Sequence, residues 1–163
     1  MELSAAAVRE TLRELRLTPQ HFKRTATGLT DAQLRRPPEK DAWSVLEVLA
    51  HVRGAPDVQG HWIARMLAEE TPTLRAVSPR TGMKKTDYAA QEFHAFLLEF
   101  ARQRTDLVKT LSSLALADWS RGATFTGMTR GLTPTVFQVA RGIAAHELGH
   151  FDQISAAARE PTG

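Results

Sequence analysis

Residues 133–159 read TPTVFQVARGIAAHELGHFDQISAAAR. Thr133-Pro134 is a helix opening, because the missing proline N–H is no loss in a first turn, and no further proline follows before Arg159. Val136, Ala140, Ile143, Glu147, His150 and Ile154 recur at three- and four-residue spacing, which a helix gathers onto one face. A long helix with such a stripe must bury it against other helices, so the fold turns on how many partners the rest of the chain supplies.

Three more long helices can be read. Ser4 caps a first helix carrying Val8, Leu12, Leu15 and Leu17 at helical spacing. Thr18-Pro19 reads as a fresh cap and first-turn proline, so this helix is expected to kink or restart there and run through His21 and Phe22 to Gly28. Thr30-Asp31 starts a short helical turn that Pro37-Pro38 stops. Ser44 and Glu47 form an S-x-x-E capping box. It opens helix two, whose stripe Val45, Val48, Leu49, Val52, Ile63 and Met66 continues to about Glu70, with a bend expected at Pro56. Residues 71–86 lose periodicity and gain Pro, Gly and basic residues, as a crossover does. Thr86-Asp87 are expected to cap a third helix bearing Phe93, Phe96, Leu97, Phe100, Leu107, Val108 and Leu111, and residues 116–132 read as irregular. Four long helices without a strand-like run predict an all-α four-helix bundle with a long crossover between helices two and three, in one domain over residues 1–163.

The composition fits that expectation. With 163 residues, 42% hydrophobic and 24% charged, the chain has the makeup of one globular domain. No uncharged apolar run approaches the roughly 18 residues of a membrane span, and the charged start MELSAAAVRETLRELR is unlike a signal peptide. A cytoplasmic protein is expected. A net charge of +3, spread among Asp and Glu, is a weak argument for nucleic acid. The absence of cysteine excludes disulfides, thiolate ligands and a cysteine nucleophile, so any metal must be held by His and carboxylates.

His146 and His150, at i and i+4, lie one above the other on the last helix and can share an ion. His51, among Val48, Leu49 and Val52 on helix two, is the natural third ligand, because its neighbours turn it toward the core. The competing reading is a set of buried histidines, each with its own hydrogen-bond partner. His21, His61 and His94 lack such spacing and read as surface or rim residues. HELGH also matches the H-E-x-x-H of zinc peptidases. In those enzymes the third ligand generally arrives from downstream, and only 13 residues remain after His150.

Trp43-Ser44 opening a helix, Glu47 followed by Val48-Leu49-Ala50-His51, then His146, His150 and a nearby Gln153-Ile154 resemble the DinB/YfiT-like metalloenzymes over roughly residues 18–156. The resemblance implies a four-helix bundle with a divalent metal on His51, His146 and His150. It also implies chemistry with low-molecular-weight thiols such as bacillithiol, mycothiol or glutathione. Two departures are expected from the pattern: Pro56, and no counterpart after the last helix of the additional C-terminal domain of the mycothiol-dependent isomerases.

Function is therefore expected to be that of a metal-dependent enzyme activating a small-molecule thiol (S-transferase-like) or water (hydrolase-like), with a small-molecule substrate and a homodimer as expected partners. Zinc is the first choice, with nickel, iron or copper as alternatives, at roughly 2.0 to 2.2 Å from the ring nitrogens if zinc. Glu147 is the candidate proton acceptor, against the alternative of an interhelical salt bridge. Arg121, Arg130 and Arg141 are candidate anchors for an anionic cosubstrate. The open coordination position is expected to face a pocket with residues 116–132 as one wall. The alternative function is a non-catalytic, stress-linked metal- or ligand-binding bundle.

Overall fold

The computed structural model describes residues 2–77, 90–127 and 133–157, with the side chains of residues 55–57 and 156–157 outside the description. Its first helix, α1, spans Ala5–Ala26, with the Ser4 side chain accepting from the Ala7 N–H. It does not restart at Thr18-Pro19. Proline there deprives the Leu15 carbonyl of its partner, but Leu15 and Phe22 are fully buried on either side and hold the helix to the core. Thr18, read as a cap, instead donates its hydroxyl to the Glu14 carbonyl at 3.0 Å. The short α2, Asp31–Arg35, and the long α3, Val45–Ala68, both open on complete capping boxes, Thr30 with Gln33 and Ser44 with Glu47. α3 is continuous through position 56. The bend expected there rests on a proline whose side chain lies outside the described set.

The crossover contains a strand, β1, Thr73–Arg75, which pairs in parallel with β2, Thr124–Thr126, in the stretch read as irregular. Leu74 and Phe125 face inward between more exposed neighbours. Strands of three residues are too short for an alternating pattern to register in the sequence. A 3-10 turn, Asp118–Ser120, precedes β2 and buries Trp119.

The third long helix, α4, spans Phe93–Ser112 and begins later than expected: Glu92 caps it, accepting from the N–H groups of His94 and Ala95. The proposed caps Thr86 and Asp87 lie outside the described residues. The last helix, α5, spans Val136–Ala157. Thr135 rather than Thr133 opens it, in a reciprocal pair with Gln138. The continuation to Arg159 lies outside the described residues.

α1, α3, α4 and α5 form the four-helix bundle. α1 packs on α5 and α4, and α3 packs on α5 and α4, so α1 faces α3, and α4 faces α5, across the diagonals. The core falls into two apolar clusters. One gathers Leu15, Ile63, Val108, Ile143 and Ala144 with Trp119 and the inward strand residues. The other gathers Phe22, Val48, Leu49, Val52, Phe93, Phe96, Phe100 and Ile154. Full burial of each of these phenylalanines stabilises the fold by about 1.5–3 kcal/mol. Thr18, Arg104 and Glu147 fall in sequence between the members of the two clusters on α1, α4 and α5, and all three are buried. Among the described residues no helix is long and apolar enough to cross a membrane.

Candidate metal centre

The capping box of α3 fixes where His51 goes. Ser44 and Glu47 set the first turn, the apolar run Val45 to Val52 presses it into the core, and His51 arrives two turns in with 5% of its surface exposed. From α5, His146 and His150 project toward it, both half-buried. The Nε2 atoms converge: His51 to His146 is 3.0 Å and His146 to His150 is 3.2 Å. One ring nitrogen from each of the three lies within 4.8 Å of the others.

Two contacts fix the surroundings. His150 Nδ1 lies 2.9 Å from Gln153 Oε1, so Nδ1 carries the hydrogen and donates, leaving Nε2 with a free lone pair. Trp43, just before the Ser44 cap, lays its indole against His51 at 4.8 Å between ring centres and nearly parallel to His150 at 6.0 Å. Asp41, in the left-handed region at φ 67°, turns the chain that leads to it.

The donor set fits a metal ion. His146 Nε2 touches both other Nε2 atoms but can carry only one hydrogen, so N–H···N bonding cannot satisfy both contacts in linear fashion. A central cation would engage a lone pair from each ring, and tetrahedral bonds of 2.0–2.1 Å would place ligand nitrogens about 3.3 Å apart, near the 3.0 and 3.2 Å that separate His146 from its two neighbours. Burial, followed by the neighbouring His150 and His146, lowers the His51 pKa to about 4. Burial and then His150 lower that of His146 as well. Both rings are therefore neutral at pH 7, the form that binds metal.

Glu147 takes a different path. Its carboxylate is fully buried and engages Arg104 of α4 across the bundle diagonal, with Arg104 Nε 2.6 Å from Oε1. Burial pushes its carboxyl above the usual carboxylate range, while Arg104 and Thr18 pull against that shift. Of the two parts considered for it, the structure shows the interhelical ion pair. The group of three imidazoles contains no carboxylate among the described residues.

The arginine anchors are also differently placed. Arg121 donates to the Met66 and Glu69 carbonyls and so closes the end of α3. Arg141 pairs with Glu14, and Arg130 lies outside the described residues. His61 and His94 are exposed as expected, whereas His21 is half-buried against Phe151. Arg104 escaped the sequence reading, although a charge lying between Phe100 and Val108, one turn from each on the apolar stripe, was the available signal.

A family profile described as the DinB superfamily matches residues 14–154. Among solved structures the chain is similar to YfiT from Bacillus subtilis, described as a probable metal-dependent hydrolase with an unusual four-helix bundle topology. The two share 19% identity over 97% of this chain and 89% of that one, with a TM-score of 0.85. Identity that low establishes the shared fold. No curated protein matches the chain.

Proposed function

The chain belongs to the DinB superfamily, and from that premise we propose that it is a divalent-metal-dependent enzyme in which His51, His146 and His150 hold the ion and a small nucleophile from solution attacks a small-molecule substrate. The observation that carries this reading is the convergence of three Nε2 atoms, His146 Nε2 lying 3.0 Å from that of His51 and 3.2 Å from that of His150, whose own hydrogen is drawn to Nδ1 by Gln153. Zinc suits three neutral imidazoles best, with nickel and iron next.

When bound, such an ion lowers the pKa of a water or small thiol and polarises the electrophile. The chain's own residues supply the frame. His51 anchors the site from the core, His146 and His150 bring it to the half-exposed side of α5, and Trp43 shields one flank. The half-exposed ligands favour an accessible coordination position over a closed structural one. Without cysteine, a thiol must come from solution. Water is the first choice of nucleophile, supported by the description of YfiT as a probable metal-dependent hydrolase. S-transfer with a low-molecular-weight thiol is the alternative implied by the sequence resemblance. Glu147 lies in the core on the far side of this site, where its pairing with Arg104 joins α5 to α4.

The test is elemental analysis of protein purified without a His tag, followed by turnover assays with a panel of esters and amides and with thiols plus electrophiles. Turnover is expected to fall to background after chelation, to return with zinc, and to be absent from the His150→Ala protein. Turnover that survives both chelation and that substitution contradicts the proposal.

A further inference from the structure

The three imidazoles are not held in the same way. His51 Nδ1 is buried without a hydrogen-bond partner among the described residues, so packing and the contact of Nε2 with His146 orient that ring. His150 stands at the half-exposed edge, where an unrestrained ring could make a half-turn about its Cβ–Cγ bond and put Cε1–H where Nε2 now meets His146. Which nitrogen faces a metal is decided by the hydrogen bond the other one makes.

We propose that Gln153 is a positioning residue that keeps His150 Nε2, free of a hydrogen, turned toward His51 and His146; the inference rests on the reading of those imidazoles as a metal site. Gln153 lies three residues after His150, close to one helical turn, which brings its side chain alongside the ring. Its Oε1 accepts from Nδ1 at 2.9 Å, and the opposite nitrogen, Nε2, then lies 3.2 Å from His146 Nε2. Trp43 restrains the plane of the same ring, 15° from parallel. The indole confines the ring to one plane, and Gln153 chooses between the two orientations that plane allows. Gln153 is itself exposed, so its removal leaves the core packing intact.

The experiment compares the wild type with Gln153→Leu, which has no acceptor, and Gln153→Glu, which restores one. Two quantities are read: the protonated nitrogen of each imidazole, from 15N NMR of the metal-free protein, and Co2+ affinity with its ligand-field absorption band. The wild type is expected to carry the His150 hydrogen on Nδ1. In Gln153→Leu that preference is expected to be lost and Co2+ affinity to drop by roughly 10- to 100-fold with an altered band, while Gln153→Glu recovers both. Wild-type affinity and spectrum in Gln153→Leu overturn the proposal. A Gln153-dependent Nδ1 hydrogen in a wild type that takes up no Co2+ supports the positioning role and overturns the metal reading, so the two failures are distinguishable.

Discussion

His146 and Glu147 are neighbours on α5, yet they occupy opposite electrostatic situations. Glu147 turns into the bundle, meets Arg104 across the diagonal and is shut away from solvent. His146 turns toward α3 and meets two more imidazoles at the half-exposed edge, where its Nε2 faces two others and one hydrogen cannot serve both contacts in linear fashion. One side of the helix carries opposite charges that pair through Glu147 Oε1, while Glu147 Oε2 and Arg104 Nη1 are buried without a hydrogen-bond partner among the described residues. The other gathers three imidazoles whose ring nitrogens could hold a metal ion. Polar residues in a core are thus of two kinds, those whose partner is in the chain and those whose partner must be supplied. The HELGH segment contains both, about 100° apart around one helix.

The largest effect should come from breaking the completed side. Arg104→Met leaves a buried carboxylate without its cation, and urea unfolding is expected to show a loss of about 3–5 kcal/mol. Pairing it with Glu147→Leu should recover most of that loss. A cost below about 1 kcal/mol for Arg104→Met would mean that the ion pair is not shut off from water. The Glu147→Gln protein, though destabilised, is expected to bind zinc close to the wild-type level while folded. Zinc affinity lost together with unchanged stability would move that carboxylate to the metal.

This asymmetry within one helix explains what could be read from the sequence. The helix start at Thr30-Asp31, the capping box at Ser44, the apolar stripes and the spacing of His146 and His150 are local patterns, and each appears in the fold. The meeting of His51 with the last helix followed from the apolar neighbours on both sides of it. The partner of Glu147 was not local: a carboxylate beside a candidate ligand histidine reads as a proton acceptor or an ion-pair partner, and Arg104 stands on the helix across the diagonal. The strands failed for a related reason, since Thr73–Arg75 finds its partner only at Thr124–Thr126, far along the chain. The restart at Pro19 failed because tertiary burial of Leu15 and Phe22 outweighed a local helix-breaking signal.

A smaller effect should separate the two sides by pH. The folded pKa of His51, about 4, lies below its ordinary 6.5, so between those values the unfolded chain binds more protons at this position. The metal-free protein is therefore expected to lose stability as pH falls from about 6.5 to about 4, by at most about 3 kcal/mol at this residue. His51→Gln should remove that part of the slope in thermal unfolding midpoints. An identical slope in the two proteins would place the responsible protons elsewhere. Smaller still is the cap that aims His51: Ser44→Ala should cost about 1 kcal/mol, with a weakened zinc affinity as its signature. A change in stability with no change in affinity would detach the cap from the site.

The half-exposed His150 should matter least to folding and most to metal, which makes it the decisive residue. Isothermal titration with zinc, on chelator-treated wild type and on His51→Ala, His146→Ala and His150→Ala, tests the central claim most directly. One ion is predicted to bind tightly per wild-type chain and none in any of the three variants, with the helical far-UV CD of His150→Ala unchanged. Absence of tight binding in the wild type, or tight one-to-one binding retained in His150→Ala, would contradict the account.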